Sequence, residues 1–233
     1  MPNLDSGVDL SDSACVEALR GLIALAADLR VPCVSACAVH DDEEAVRAHI
    51  AALLPEASEK GVTLLIKTKN TYASTERLRD LMNHFACDEL AVLWDMHETC
   101  RRGHETAAET IRNLGAYVRH VHLHDSDDDG APALIGEGTL PVRALMEALS
   151  SINYDGFISL EWRPEWMEDL QSWEIIFPHF VNYMSRFESP RTMKKPLYYN
   201  RSHTGEYVWK KDALIVLAAL ALAAAALLTA LLG

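Results

Sequence analysis

The chain has 233 residues, of which 49% are hydrophobic and 24% charged, and its formal net charge is −13. This is the composition of an ordinary globular protein that can bury one sizeable core, so we expect one domain and a tail. The negative charge opposes a phosphate backbone, and no stripe of Lys and Arg interleaved with aromatic residues offsets it. We therefore expect no nucleic-acid partner.

The cysteines indicate a reducing compartment. There are five, an odd number, with no CxxC pair and no secretory signal peptide ahead of them. This pattern favours free thiols in the cytoplasm. Cys33 and Cys37 resemble a loose metal-binding pair, but a Cys-x3-Cys spacing without a second pair is weak support for a metal site.

The elements alternate between short apolar runs and longer stretches of helical period, which predicts parallel strands joined by crossover helices. In chain order the sequence predicts helix 12–29, strand 31–39, helix 41–60, strand 62–68, helix 74–87, strand 89–95, helix 104–114, strand 118–124, helix 141–152, strand 157–162 and helix 171–187. No strand is predicted before residue 31. Five strands are fewer than the eight of a closed barrel. The predicted fold class is α/β, an incomplete (β/α) barrel of TIM type over residues 1–190, truncated at its start.

The C-terminal part differs in composition from this domain. Residues 191–212 are rich in basic and aromatic residues and read as a linker, whereas residues 213–232 carry no charge and are mostly Leu and Ala. A helix of that length spans about 30 Å, the thickness of a bilayer core, and Trp209, Lys210 and Lys211 precede it as interfacial residues would. We predict a single transmembrane helix that anchors a cytoplasmic domain. The alternatives are a soluble Ala/Leu helix, which would leave the protein cytoplasmic, and a helix docked on the open edge of the barrel.

Polar residues gather near the ends of the last four predicted strands, namely Lys67, Asp95, His122 and Glu161. Catalytic groups of a parallel barrel lie on its C-terminal rim, so four strands delivering such groups to one end predict a site. Period-2 alternation places His97 on the face of Asp95, and His120 and His124 on the face of His122.

Carboxylate and imidazole side chains together suit a divalent cation such as Mn²⁺, Mg²⁺, Co²⁺ or Zn²⁺. Such a cation could hold two sugar oxygens and polarise a carbonyl for proton abstraction from the neighbouring carbon, which is isomerase or epimerase chemistry. Any one of these residues taken alone could equally be a loop cap or a hydrogen-bonded core group.

Several segments resemble the sugar phosphate isomerase/epimerase family of xylose-isomerase-like TIM barrels. They are GVTLLIKTKNTYASTERLRDLM, LAVLWDMHETCRRG, YVRHVHLHDS, LIGEGTLPVRALMEAL and YDGFISLEW, and the likeness runs from about residue 31 to 187. The resemblance implies one divalent cation held by a Glu, an Asp, a His and a second Glu, of which Asp95, His122 and Glu161 match the last three. The first ligand differs, because Lys67 stands where the family has a Glu.

An ammonium group cannot ligate a cation, and beside Asp95 and Glu161 it would form the ion pair that a metal normally supplies. The leading hypothesis is a sugar or sugar-phosphate isomerase/epimerase. In it, Glu161 is the acid/base group, Lys67 replaces the first ligand at some cost in activity, and His97 or His124 positions substrate hydroxyls.

Two alternatives stay open. The first is a catalytically inactive, membrane-tethered binding or scaffold protein derived from the family. The second is the abasic-site endonuclease branch of the superfamily, which needs three metals and a basic groove that this acidic chain does not show. The expected partners are a small sugar or sugar phosphate, a membrane through the C-terminal helix, and a second copy of the chain that completes the barrel.

Overall fold

The structure is a computed structural model, which describes residues 2–163 and 171–187. Strands and helices alternate along these residues. The elements are β1 (Leu4–Asp9), α1 (Cys15–Asp28), β2 (Cys33–Cys37), α2 (Glu43–Lys60), β3 (Thr63–Lys67), α3 (Thr75–Phe85), β4 (Leu90–Asp95), α4 (Met96–Arg101), α5 (Ala107–Leu114), β5 (Val118–Leu123), β6 (Asp125–Ser126), β7 (Pro132–Ala133), α6 (Val142–Ser151), β8 (Phe157–Leu160) and α7 (Trp173–Met184). Short 3-10 turns follow β3 at Asn70–Ala73 and α7 at Ser185–Phe187.

Six parallel strands form one sheet in the order β1-β2-β3-β4-β5-β8, and β6 and β7 form a separate antiparallel pair. Neighbours in the large sheet follow one another along the chain, as they do in a (β/α) barrel. The sheet curls into a half-barrel whose edge strands, within the described residues, are β1 and β8. The prediction of an incomplete TIM-type barrel is confirmed.

The parallel sheet has one strand more than the sequence predicts, because β1 precedes the first predicted strand. The short pair of β6 and β7 was also not predicted. β1 pairs with β2 through Leu4 opposite Val34 and Asp5 opposite Ser35. Its sequence, LDSGVD, contains polar residues and a glycine, which are depleted in strands, so no strand pattern was visible there. The expectation that no strand precedes residue 31 is therefore corrected.

A second correction concerns the end of β4. Alternation placed Asp95 and His97 on one face of a strand, but the strand ends at Asp95 and α4 begins at the next residue. The Asp95 Oδ1 atom accepts a hydrogen bond of 3.2 Å from the Glu98 backbone N–H, which is the bond of a helix N-cap. His97 thus belongs to the first turn of a helix that the sequence did not predict.

Below the rim, part of the core of the sheet is a small apolar cluster. Leu65, Ala91 and Leu93 form a buried cluster on which Cys33 packs. Cys33 and Cys37 are free thiols, and burial raises the pKa of Cys33 to about 11. A thiol that resists deprotonation is a poor metal ligand, so the weak metal pair of the sequence is not favoured.

Within the described part of the chain no helix is both long enough and apolar enough to cross a bilayer. The linker 191–212 and the apolar segment 213–232 lie outside the described residues. The membrane anchor has no support from the structure and stays a prediction.

Candidate active site

Lys67, the last residue of β3, lies at the centre of a cluster of carboxylates. Its Nζ atom donates a hydrogen bond of 3.1 Å to Glu161 Oε2 and lies 3.4 Å from Asp95 Oδ2. The Lys67 side chain is only 4% exposed, and those of Asp95 and Glu161 are 1% and 8% exposed. Strands β3 and β4 and the residue after β8 therefore bring three of the four predicted rim residues together.

The fourth predicted residue, His122, joins the cluster from β5. It lies directly opposite Asp95 in the sheet register. Its Nδ1 atom is 3.4 Å from Glu161 Oε2. The sequence-predicted grouping of these side chains at one rim is thus observed, while their roles stay predictions.

Asp5 is a member of the cluster that the sequence did not reveal. Its Oδ2 atom lies 4.0 Å from Lys67 Nζ and 4.0 Å from His122 Nδ1. Ser35 Oγ donates a hydrogen bond of 2.9 Å to Asp5 Oδ1, and Asn3 Nδ2 donates one of 3.0 Å to Ser35 Oγ. This chain of polar contacts aims the carboxylate inward from β1.

Arg163 was also missed, and it connects the two edges of the half-barrel. Its Nε and Nη2 atoms lie 2.9 Å and 2.7 Å from Glu161 Oε1, and Nη2 lies 3.9 Å from Asp5 Oδ2. Side chains that follow β8 and start from β1 therefore meet at the rim. Its place two residues after Glu161 is the signal that could have been noticed.

Lys67 and Glu161 keep their charges at neutral pH. Burial alone would favour a neutral amine at Lys67, but the carboxylates of Asp95, Glu161 and Asp5 outweigh it and raise the Lys67 pKa. Burial likewise opposes the charge of Glu161. The contact with His122 and the ammonium of Lys67 nevertheless hold the Glu161 pKa well below its usual range. Lys67 is an ammonium and Glu161 a carboxylate.

His97 and His124 form a second group beside the cluster. Their rings stack with centroids 3.9 Å apart, and His97 Nε2 shares a hydrogen bond of 2.9 Å with Ser126 Oγ. Burial lowers the pKa of both imidazoles to about 4, so both are neutral at pH 7. These side chains line a pocket of about 240 Å³ together with Ser126, Gly130 and Pro132.

His120, on the same face of β5, lies deeper. Its Nε2 atom shares a hydrogen bond of 2.9 Å with Ser159 Oγ, and its ring packs edge-on against His122. This is a hydrogen-bonded core histidine that supports His122 from below.

The loop beside the pocket is organised by the fully buried Asp125. Asp125 Oδ1 accepts backbone N–H bonds from Ser126 and Leu140 at 2.9 and 3.0 Å, and Oδ2 accepts them from Gly136 and Gly138 at 2.9 and 3.2 Å. Gly136 has φ +83°, which favours glycine, and a Cβ at Gly138 would overlap Asp125. The segment GEGT is thus explained as a cradle for this carboxylate.

A divalent metal would find donors here but also a cation already in place. Two groups of residues have ligand atoms within 4.8 Å of one another, Asp5 with His122 and Glu161, and Asp95 with His124 and Glu161. Both need Glu161, whose Oε2 is 3.1 Å from the Lys67 ammonium. A divalent ion about 2.1 Å from that oxygen and roughly 4 Å from Nζ would be repelled by about 8 kcal/mol at an effective dielectric constant of about 20. The residues do not fit a metal while Lys67 occupies this position.

The fold and site define a class, a (β/α) half-barrel of TIM type whose charged residues gather on the C-terminal rim. The family described as xylose isomerase-like TIM barrel matches residues 3–175 of the chain. The protein belongs to this family, and the resemblance noted from the sequence motifs is confirmed.

Two curated proteins are similar to parts of the chain. The uncharacterized protein MJ1311 of Methanocaldococcus jannaschii is 31% identical over 88 residues, which cover 37% of this chain and 30% of that protein. A Streptomyces coelicolor protein named "Putative hydroxypyruvate isomerase" is 33% identical over 72 residues, which cover 31% of this chain and 24% of that protein. The matches span less than a third of either relative.

Solved structures show the same fold at lower identity. The IolI protein, crystallised with a zinc atom, is 19% identical with a TM-score of 0.67, over 80% of this chain and 77% of that one. The 3-keto-D-glucoside 4-epimerase YcjR of E. coli is 15% identical with a TM-score of 0.64, over 80% and 78%. At these identities the likeness establishes the fold alone.

Proposed function

We propose that this protein is a sugar or sugar-phosphate isomerase or epimerase, which moves a proton on the carbon beside a carbonyl group. The observation that carries the proposal is the buried group of Lys67, Asp95 and Glu161 at the rim of a xylose isomerase-like half-barrel. A buried carboxylate beside a fixed positive charge is the arrangement that proton transfer next to a carbonyl requires. The names of YcjR and of the Streptomyces relative belong to the same chemistry.

Glu161 is the proton-transfer group in this proposal. Its carboxylate takes the proton from the substrate carbon, the C–H electron pair forms a carbon–carbon double bond, and the carbonyl oxygen becomes an oxyanion. Protonation of the same carbon from the opposite face, by solvent water or a second acid, gives an epimer. Delivery of the proton to the former carbonyl carbon gives an isomer, provided that the neighbouring hydroxyl passes its proton to the oxyanion and becomes the new carbonyl. No external oxidant or reductant is needed.

The contacts of Glu161 tune its basicity. Lys67, Arg163 and His122 stabilise its charge, and a carboxylate with a lowered pKa is a weak base. An oxyanion that approaches Lys67 competes with Glu161 for the ammonium, which raises the basicity of Glu161 when the substrate is bound. We therefore expect slower turnover than in a site with two free carboxylates.

The neutral His97 and His124 supply the substrate-binding side of the proposal. Each imidazole can donate or accept a hydrogen bond, which suits sugar hydroxyls, and both line the pocket that opens beside Glu161. No finding supports the alternative of an inactive membrane-tethered scaffold. The sugar ligand and a second copy of the chain remain the proposed partners.

Deuterium exchange tests the proposal across a panel of candidate substrates. The protein is incubated in D₂O with ketoses, aldoses, their phosphates and hydroxypyruvate, and deuterium beside the carbonyl is followed by NMR. We expect exchange into at least one compound, with a loss on the order of 100-fold or more in Glu161→Gln. Glu44→Gln, on the exposed side of α2, is the matched control and keeps its rate. Absence of exchange across the panel would contradict the proposal.

A further inference from the structure

The positive charge at the centre of the rim cluster is the ammonium group of Lys67, a side chain of the protein itself. We propose that Lys67 takes the place of a bound divalent metal, so that this active site is built to work without one. The inference rests on the proposed function for the chemistry of the site, but not for the identity of its cation.

The geometry places the ammonium where a bridging cation is needed. Glu161 Oε2, Asp95 Oδ2 and Asp5 Oδ2 lie 3.1, 3.4 and 4.0 Å from Lys67 Nζ, and they come from three separate parts of the sheet. One central cation thus holds together carboxylates that would otherwise repel one another. A structural metal would perform the same task.

The ammonium cannot easily make room for a metal. The Lys67 side chain is 4% exposed, and its stem rises from the last position of β3, between β2 and β4. A cation that reached Glu161 would have to displace Lys67 from its ion pairs and leave the ammonium buried without a partner. The ion pairs that hold the site together therefore also oppose the binding of a divalent metal.

The ammonium also has the capacity to act on a substrate. A lysine ammonium has three N–H donors, and the one side-chain hydrogen bond that Lys67 Nζ makes within the described residues goes to Glu161. Of the three carboxylates around Lys67, Asp5 lies on the most open side, since its side chain is 33% exposed whereas those of Asp95 and Glu161 are 1% and 8% exposed. A carbonyl oxygen entering there would accept an N–H bond, and the oxyanion formed by proton transfer would strengthen that bond.

Metal binding by variants of Lys67 tests the inference directly. Lys67→Glu restores a fourth carboxylate, Lys67→Met removes the ammonium without adding a ligand, and Lys69→Glu makes the same charge change two residues further on. Each purified protein is analysed for metal content and titrated with Mn²⁺ by calorimetry. We expect well under one equivalent in the unmutated protein and in Lys69→Glu. Lys67→Met should bind Mn²⁺ with intermediate affinity, because it loses the repelling ammonium but gains no ligand. Lys67→Glu should approach one equivalent, with affinity raised on the order of 100-fold or more.

Thermal unfolding with and without Mn²⁺ keeps the test decisive if Lys67→Glu is poorly folded without metal. A rise in Tm with Mn²⁺ that is confined to the two Lys67 variants, and is larger in Lys67→Glu, supports the inference. Stoichiometric metal in the unmutated protein, or equal Mn²⁺ affinity in all four proteins, would overturn it. So would deuterium exchange by the unmutated protein that stops with EDTA and returns with Mn²⁺. Metal content is measured without a substrate, so this test does not depend on the proposed function. Failure of the proposed function would appear instead as absence of deuterium exchange.

Discussion

Replacing Lys67 with Met should destabilise the fold strongly at neutral pH. The change removes a buried ammonium 3.1 Å from Glu161 and 3.4 Å from Asp95. At an effective dielectric constant of about 20, each of these contacts is worth about 5 kcal/mol before the cost of desolvation. Removing one partner of a buried pair typically costs about 3–5 kcal/mol, because the remaining charge stays buried. We expect a loss of that size at pH 7.

The pH dependence gives the prediction its second test. In the unmutated protein Lys67 has a raised pKa, so its contribution is present below about pH 10 and is lost as pH rises through the folded-state pKa. Glu161 has a lowered pKa, so its contribution is present above about pH 4 and is lost as pH falls through the folded-state pKa. In Lys67→Met the carboxylates lose their cation and bind protons more readily. The variant should therefore lose less stability at pH 5 than at pH 7.

Urea unfolding at both pH values measures this difference, with Lys69→Met as the control for loss of a half-buried lysine near the same strand end. The control should change the free energy of unfolding by less than about 1 kcal/mol. A loss below about 1 kcal/mol for Lys67→Met, equal at both pH values, would show that the ammonium does not hold the cluster together.

Two further predictions concern the core and the loop. Burial beside His122 lowers the pKa of His120 to about 3. Below about pH 6.5 His120 therefore binds a proton in the unfolded chain but not in the folded protein. This difference should make the free energy of unfolding about 2 kcal/mol lower at pH 5 than at pH 7. Urea unfolding at several pH values in this range should show that the free energy of unfolding depends less steeply on pH in His120→Asn. An unchanged pH dependence would contradict the lowered pKa of His120. A Cβ at Gly138 would overlap Asp125, so Gly138→Ala should cost roughly 1–3 kcal/mol. Gly21→Ala, at an open position on α1, should instead raise the free energy of unfolding by about 0.5–1 kcal/mol. Shifts of Tm in the same direction for both variants would contradict these two predictions.

The rim site was predictable because it follows from strand geometry. Parallel strands in a barrel share one C-terminal end, so Lys67, Asp95, His122 and Glu161 had to face the same rim once their strands were recognised. Their apolar flanks made β3, β4, β5 and β8 visible. The replacement of a Glu by Lys67 was readable only from the resemblance to the family, since strand geometry places the residue but does not say which ligand is expected there.

The other members of the site could not be found in this way. β1 is an edge strand with partly exposed residues, so it carries no apolar run, and Asp5 was hidden with it. The position of His97 was misjudged because the alternation of a strand was continued two residues beyond the predicted strand end at residue 95. Asp95 and Glu98 are spaced as an N-cap and its third helical residue, and that spacing could have indicated where the strand stops.

Asp95 ties two parts of the site together through its two oxygens. Oδ1 accepts the backbone N–H of Glu98 and so fixes the first turn of α4, while Oδ2 faces the ammonium of Lys67. His97 belongs to that same turn and lines the pocket. One carboxylate thus links the ammonium to the helix turn that carries the pocket imidazole. A ligand that displaced Asp95 from both contacts would break the N-cap hydrogen bond of that helix as well as the ion pair.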